Sequence, residues 1–281
     1  MSSPTIGQLE ADLADAVQRR DDADQLIALR GLAEIYAGRG DADQALAYQS
    51  QAIDMARQLD ADSILGELLY NAGTWRLSLN QPAAAVPLLT EALDLARATG
   101  IDENVLATLS VLAQAQAMTA PNDAIPLYEE ARDLAQRMED PAYELHALQG
   151  LAWIGQQLGQ KQMILDNLTR ALTIVEEAGD PGLAAPVHMS IGLTHAADED
   201  FAEAAVCFER AVEAYRAADD GAQAARALGN LGTAYGREDR LEDARDALQQ
   251  AADLFTELGM TQDASRAQMM ADTITHSGKL P

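Results

Sequence analysis

The side chains in this chain that could ligate a metal or transfer protons are few and widely spaced. The only histidines are His146, His188, His195 and His276. His188 and His195 alone could share a helix face, and they would lie two turns apart. Metal-binding histidines on a helix are usually closer, and carboxylate or thiolate ligands and a second shell of partners complete the site. We therefore interpret the histidines as packing residues and predict no metal site.

The other groups that could carry covalent or acid–base chemistry are equally isolated. Cys207 is the only cysteine, which excludes an internal disulfide, and between Ala204 and Phe208 its thiol is expected to fill apolar space. The adjacent Glu176 and Glu177 point in different directions on a helix. No glycine-rich phosphate loop, nucleophile elbow or zinc-spaced cluster occurs. The sequence predicts that the protein is not an enzyme, has no catalytic residue and needs no cofactor.

The charge of the chain argues against two classes of partner. Its 45 Asp and Glu exceed its 19 Lys and Arg, and the formal net charge is -26. Nucleic acids and anionic membranes are recognised mainly through Lys and Arg, so we expect neither as a partner. No apolar stretch approaches the roughly 18 residues that span a bilayer, and no signal peptide is visible. With the single cysteine, these features predict a cytoplasmic protein.

A repeat of about 40 residues organises most of the chain. An apolar residue is followed seven positions later by alanine in six places, at successive intervals of 40, 39, 40, 40 and 40 residues. A bulkier residue such as Leu89 or Phe208 stands four positions after the first member, so that large side chains can pack against small ones between two close helices. The pairs are Ala45 and Ala52, Ala85 and Ala92, Ala124 and Ala131, Ile164 and Ala171, Ala204 and Ala211, Ala244 and Ala251.

A second set of core residues recurs at the same interval, on the N-terminal side of these pairs; we call it the second column. Turn residues such as Asn80 and Gly179 separate the apolar stretches, and runs rich in Val, Ile and Thr are lacking. The pattern predicts pairs of helices and almost no β-structure. The column consists of Leu32, Ala72, Val111, Leu151, Ile191 and Leu231.

The last of these units carries the motif of a known family. In order along the chain, Leu231-Gly232, Tyr235, Ala244, Leu248 and Ala251 resemble the tetratricopeptide repeat. The period near 40, rather than the usual ~34 residues, resembles a long-helix subclass found in spindle-orientation adaptors and bacterial peptide-sensing regulators. The resemblance implies an all-α fold, a right-handed α-solenoid of about six helix-turn-helix units with capping helices at both ends.

We expect one continuous domain over residues 1–281, because no Ser/Gly-rich or highly charged linker interrupts the chain. Its expected parts are an N-terminal helix over residues 1–20, repeats over residues 22–60, 61–100, 101–139, 140–180, 181–219 and 220–259, and a capping helix over residues 261–276.

In the family that the sequence resembles, the first helix of each pair lines a concave groove, so the repeat register nominates groove residues. Trp153 is the expected central anchor, because aromatic side chains carry a large share of interface energy. The resemblance implies that Asn71 and Asn230 bind the main chain of an extended peptide. Packing between helices is the alternative interpretation for these three residues. The predicted peptide-binding groove consists of Arg30, Glu34, Tyr70, Asn71, Thr74, Gln116, Gln149, Trp153, Gln156, Met189, Leu193, Arg226, Asn230 and Thr233.

These expectations favour a scaffold or adaptor that binds a partner protein or peptide segment in the groove. Two alternatives stay open. One is a regulatory sensor of a peptide or small ligand, of the bacterial tetratricopeptide type, and the other is a self-assembling structural solenoid whose ends stack. Capping at both ends favours a monomer.

Overall fold

The computed structural model describes residues 4–277, and every regular element among them is an α-helix. The predicted all-α fold is confirmed, and the predicted repeat boundaries stay a prediction. Residues 1–3 of the predicted N-terminal helix lie outside the described residues. Within residues 4–277, no helix is both long and apolar enough to cross a membrane. The helices are α1 (Ile6–Arg19), α2 (Asp22–Gly38), α3 (Ala42–Gln58), α4 (Asp62–Ser78), α5 (Pro82–Thr99), α6 (Asp102–Ala117), α7 (Pro121–Met138), α8 (Pro141–Leu158), α9 (Lys161–Glu177), α10 (Pro181–Ala197), α11 (Phe201–Ala217), α12 (Gly221–Arg237), α13 (Leu241–Glu257) and α14 (Thr261–Ser277).

The chain forms two compact units, Met1–Tyr143 and Glu144–Pro281, and the boundary between them falls within α8. In the first unit, each helix from α1 to α7 contacts the next. In the second unit, the same holds from α9 to α14. Even-numbered helices from α2 to α12 are the first helices of the pairs, and the odd-numbered helices that follow them are the second helices. The single domain over residues 1–281 stays a prediction.

Acidic residues are frequent in the turns because several of them cap helices. Side-chain oxygens of Asp21, Asp41 and Asp220 accept hydrogen bonds from backbone N–H groups in the first turn of α2, α3 and α12. These N–H groups have no partner within the helix, so the caps stabilise each helix start. Gly40 and Gly179 adopt the left-handed conformation, with φ of 78° and 68°, which glycine accepts without steric cost.

Small residues in the first helices make room for large residues in the second helices. A Cβ atom added at Gly73 would lie 2.4 Å from Leu89 Cγ, and one at Gly192 would lie 2.7 Å from Phe208 Cε1. Such short contacts mean that the helices approach too closely for any larger side chain at these glycines. We call this set of positions the small-residue column, and all its members are buried. They are Ala33, Gly73, Ala113, Ala152, Gly192 and Gly232.

The second helices carry a matching set of alanines. Each is at most 2% exposed, and we call the set the alanine column. The constant interval read from the sequence therefore marks the tightly packed positions of each repeat. The alanine column consists of Ala52, Ala92, Ala131, Ala171, Ala211 and Ala251.

The third repeat corrects one detail of the predicted register. Helix α6 begins 40 residues after α4, whereas α7 begins 39 residues after α5. The turns that follow α4 and α6 are equally long, so the shorter spacing arises because α6 ends one residue earlier. The prediction had placed the change before the core position of α6 and chose Val111. Val111 is half-buried, and Leu112, at 4% exposed, is the core residue.

Replacing Ala171 by phenylalanine should overpack the second unit. Ala171 is fully buried in α9, and forcing a larger side chain into a filled core costs about 1 to 3 kcal/mol of unfolding free energy. Urea unfolding followed by circular dichroism measures the loss. Thr169→Phe, on an exposed position of the same helix, is the matched control and should stay close to the wild type. Equal midpoints for the two variants would contradict the assigned register.

Candidate functional site

A cavity of about 610 Å³ opens in the second unit between the first helices α8 and α10, at the N-terminal half of α9. Leu168 and Val187 contribute buried apolar surface to it, whereas Trp153 and Leu193 are 43% and 49% exposed. An apolar cavity of this size with exposed aromatic surface is typical of a ligand site. We call it the Trp153 cavity. Its lining includes Gln149, Trp153, Gln156, Ile164, Leu168 and Leu193.

The exposure of Trp153 follows from the packing of α8. Ala152 belongs to the small-residue column and is buried, so the next side chain, about 100° further round the helix, points away from that contact. The same relation holds in α10, where Leu193 follows the buried Gly192. The two exposed apolar side chains that line the cavity therefore occupy equivalent positions in neighbouring first helices.

The α10 side of the cavity contains a proline inside the helix. Pro186 has no N–H group to donate to the backbone, and its ring lines the cavity. The hydroxyl of Ser190 donates to the Pro186 carbonyl oxygen at 2.8 Å, and the hydroxyl of Thr194 donates to the Ser190 carbonyl oxygen at 2.8 Å. Both hydroxyl protons are thus used within α10, and stronger polar recognition has to come from other lining residues.

Two glutamines on α8 supply that polar capacity. Gln149 and Gln156 are exposed and flank Trp153 by one turn on either side, so the three side chains share one helix face. Within residues 4–277, neither side-chain amide has a hydrogen-bond partner. A primary amide both donates and accepts, which matches the N–H and C=O groups of an extended main chain.

The only charged residues that line the cavity neutralise each other. Lys161, the first residue of α9, lies 2.5 Å from Asp198, which caps the C-terminus of α10 (Nζ to Oδ2). The lining therefore carries no formal net charge, although the chain carries -26.

The other predicted groove residues of the second unit do not line this cavity. Asn230 Nδ2 donates to Met189 Sδ at 3.5 Å, and both residues are half-buried. The Thr233 hydroxyl donates to the Gly229 carbonyl oxygen, and Arg226 is exposed. The structure thus brings Gln149, Trp153, Gln156 and Leu193 together and leaves Met189, Arg226, Asn230 and Thr233 outside the cavity.

In the first unit, the predicted groove residues are mostly engaged with neighbours. Arg30 forms ion pairs with Glu34 at 2.9 Å and with Glu67 at 2.6 Å. The Thr74 hydroxyl donates to the carbonyl oxygen of Asn71, which is half-buried.

Tyr70 is different, because it lines a separate, smaller cavity of about 340 Å³ in the first unit. Burial, with a smaller contribution from Tyr143, raises the pKa of its hydroxyl above the usual value.

Gln116 follows from the shifted register of the third repeat, in which the structure gives Ala117 the position of Gln156. Gln116 is half-buried, and its amide donates to Asp123 Oδ2 at 3.4 Å. In α6 the residue that occupies the position of Trp153 is Gln114, which directly follows the buried Ala113 and is exposed. The signal that identifies Gln114 is the small-residue column, which runs through Ala113 rather than Leu112.

His188 and Cys207 of the second unit lie among packed side chains. His188 is buried at a position that leucine occupies in α8 and α12, as Leu148 and Leu228. Burial lowers its pKa, while Glu176, 3.7 Å away, raises it and Arg210 lowers it. Cys207 is half-buried, and burial raises the pKa of its thiol. Within residues 4–277, no group of three or more His, Cys, Asp or Glu side chains is arranged to hold a metal ion.

Comparison with known families identifies the class of protein that this fold and site define. The family model described as "Tetratricopeptide repeat" matches residues 24–98 and 183–257, which together exceed half of the chain. The chain belongs to the tetratricopeptide repeat family. No curated protein sequence matches it.

Several solved structures share the fold at low sequence identity. BtubC from P. vanneervenii is 19% identical with a TM-score of 0.60, over 78% of this chain and 92% of that one. The apo quorum sensor NprR from B. thuringiensis is 14% identical with a TM-score of 0.54, over 96% and 83% of the two chains. A Rap protein complexed with Competence and Sporulation Factor is 14% identical with a TM-score of 0.52, over 94% and 78%.

Replacing His188 by leucine should remove an acid-sensitive contribution to stability. The folded-state pKa of His188 lies below the unfolded value of 6.5, so the fold favours the neutral imidazole. This contribution is complete above pH 6.5 and is lost as the pH falls below it, because the unfolded state then binds more protons. The unfolding free energy of the wild type should therefore fall more steeply between about pH 7.5 and about pH 5.5 than that of His188→Leu.

Urea unfolding at several pH values measures the two slopes. His276→Gln, at an exposed histidine of α14, serves as the control and should keep the wild-type slope. A His188→Leu protein whose stability falls as steeply as that of the wild type would exclude His188 as the acid-sensitive group.

Proposed function

We propose that this protein is a binding module that holds a segment of a partner protein, or a peptide, in the Trp153 cavity. The observation that carries the proposal is the exposed indole of Trp153 beside an apolar cavity, flanked on its own helix by two unpartnered amides. Exposed aromatic side chains of this kind are the usual anchors of protein interfaces.

The division of roles within the cavity follows from its chemistry. Fully burying one large apolar side chain is worth about 1.5 to 3 kcal/mol, so a partner residue that fills the space between Trp153 and Leu193 supplies the main attraction. Gln149 and Gln156 hold the main chain on either side of that residue. The amides give direction to the bound segment, since a main chain offers donors and acceptors in a fixed order.

The charge of the protein restricts the partner. The cavity lining is neutral, so contacts within it do not select for charge, but the field of a chain with a net charge of -26 repels acidic partners and attracts basic ones. We therefore propose a protein or peptide partner and no nucleic acid. The proposal includes a monomeric adaptor in the cytoplasm, without a cofactor or a catalytic step.

A peptide or small-ligand sensor is the second candidate. Two of the similar structures are described as a quorum sensor and as a complex with Competence and Sporulation Factor. A cavity of about 610 Å³ also falls within the usual range for small ligands. In a sensor, the occupant would change the spacing of α8 and α10, whereas in an adaptor the spacing would stay as it is.

Trp153→Ala should abolish most of the binding while leaving the fold intact. Peptides selected from a phage-displayed library of random sequences on the wild-type protein should bind Trp153→Ala about 30-fold more weakly, which corresponds to the ~2 kcal/mol typical of an interface anchor. Fluorescence polarisation of the labelled peptides gives the affinities. Leu183→Ala is the matched control, because Leu183 is an exposed apolar residue of the same unit that does not line the cavity.

Two results would contradict the proposal. Peptides that bind Trp153→Ala as well as the wild type would place binding elsewhere, and a large drop in the melting temperature of Trp153→Ala would make Trp153 a core residue. Small-angle X-ray scattering with and without a selected peptide distinguishes the candidates, since only a sensor should change its radius of gyration.

A further inference from the structure

The smaller cavity of the first unit, which Tyr70 lines, has a chemistry of its own. It lies between the N-terminal halves of the first helices α4 and α6, at the C-terminal half of α5. Ala92 and Ala96 contribute buried apolar surface, and Leu95 and Ile101 add partly exposed apolar surface. Its volume of about 340 Å³ falls at the lower end of the range for small-ligand sites. We call it the Tyr70 cavity.

A glycine inside α4 forms part of the cavity wall although packing does not require it. A Cβ atom added at Gly66 would lie 3.4 Å from Leu95 Cβ, which is an ordinary contact. One added at Gly73 of the same helix would instead overlap Leu89. Glycine is less favourable than alanine inside a helix. Because Gly66 lines the cavity, its missing side chain lets a ligand approach the backbone of α4 closely.

The uncharged polar groups of the lining include two without a partner. The hydroxyls of Thr99 and Thr108 are engaged, since each donates at 2.7 Å to a backbone carbonyl oxygen of its own segment. By contrast, the Tyr70 hydroxyl and the Asn104 side-chain amide have no hydrogen-bond partner within residues 4–277. Both groups can therefore bind an occupant of the cavity.

The charge of the lining is unbalanced. Among the described residues, the lining includes Asp62 and Glu67 but no Lys, Arg or His. Glu67 pairs through Oε1 with Arg30 of α2 at 2.6 Å, whereas Asp62 forms no ion pair within residues 4–277. The Trp153 cavity differs, because its lining carries no formal net charge. An occupant of the Tyr70 cavity should therefore carry positive charge next to an apolar body.

We propose that the Tyr70 cavity binds a small organic amine, whose protonated amino group is held by Asp62 and Glu67 and whose apolar body packs against α5. An ammonium group donates three hydrogen bonds, and the two carboxylates and the side-chain oxygens of Tyr70 and Asn104 are its acceptors. An aromatic ring at the same site attracts a cation further. The net charge of -26 raises the concentration of cations near the protein.

A free amine suits the cavity better than a lysine side chain of a partner protein. Lysine offers one unbranched alkyl stem and would leave the apolar surface of Leu95 and Ile101 partly uncovered, whereas a compact apolar body covers it. The site lies in the first unit and goes beyond the function proposed for the Trp153 cavity.

Phenethylamine is a suitable probe, and methyl NMR spectra of the full chain report on Leu95 and Ile101. Phenethylamine should shift these methyl signals in a saturable manner. Phenylethyl alcohol, which has a similar size and no charge, should bind about tenfold more weakly because charge-assisted hydrogen bonds are lost. The acetylated methylamide of lysine, a model of a partner's side chain, should also bind more weakly than phenethylamine.

Two charge variants test the carboxylates. Asp62→Asn/Glu67→Gln should weaken phenethylamine binding about tenfold. Asp94→Asn/Glu103→Gln is the matched control, because it removes the same charge from exposed positions of α5 and α6 that do not line the cavity. This control should bind phenethylamine as the wild type does.

Gly66→Ala separates binding from stability. Its urea midpoint should stay or rise, because alanine favours the helix and meets Leu95 at an ordinary distance. The added methyl group narrows the cavity, so phenethylamine binding should weaken about tenfold, the loss expected when a well-fitted site is overfilled. Trp153→Ala should keep phenethylamine binding, so that the failure of this proposal and the failure of the proposed function are distinguishable.

Several results would overturn the proposal. They are the absence of saturable shifts, equal binding of phenylethyl alcohol, and unchanged binding by Asp62→Asn/Glu67→Gln or by Gly66→Ala. Equal weakening in the control variant would reduce the effect to the general charge of the chain. Tighter binding of the lysine derivative would assign the cavity to a partner's side chain instead of a free amine.

Discussion

The close approach of paired helices is the constraint on which the rest of this structure depends. Glycine or alanine in each first helix lies against a bulky side chain of the second helix, and a Cβ added at Gly73 or Gly192 would overlap Leu89 or Phe208. Because this contact fixes the rotation of each first helix, it also fixes which residue points outward. Trp153 and Leu193 are exposed for that reason, since each directly follows a residue of the small-residue column.

The sequence reveals this constraint more fully than it reveals the site. A constant interval of small residues predicts the helix pairs and their turns, because packing repeats with the same period. Whether Trp153 lines a cavity is harder to predict, since the cavity depends on how far α8 and α10 separate, which periodicity does not encode. Gln116 illustrates the opposite case. In the corrected register Ala117 takes the position of Gln156. The information needed to find it is present in the sequence, because Ala113 continues the small-residue column, but the one-residue shortening at the C-terminal end of α6 was assigned to the wrong side of its core position.

Negative charge has different physical consequences in different parts of the chain. In the turns, Asp21, Asp41 and Asp220 satisfy backbone donors at helix starts, which is a local requirement that recurs with the repeat. In the Trp153 cavity, Asp198 is neutralised by Lys161, so the lining stays uncharged. The net charge of -26 is therefore no guide to the chemistry of the cavity, although it governs how partners approach the protein.

Packing and the exposed surface are determined by adjacent positions of the same repeat. The position after the small-residue column varies freely, as Thr74, Trp153 and Leu193 show, because it faces away from the second helix. It can acquire a binding residue without disturbing the fold. The small-residue column itself holds only glycine or alanine in the first helices from α2 to α12, because a second helix packs closely on it.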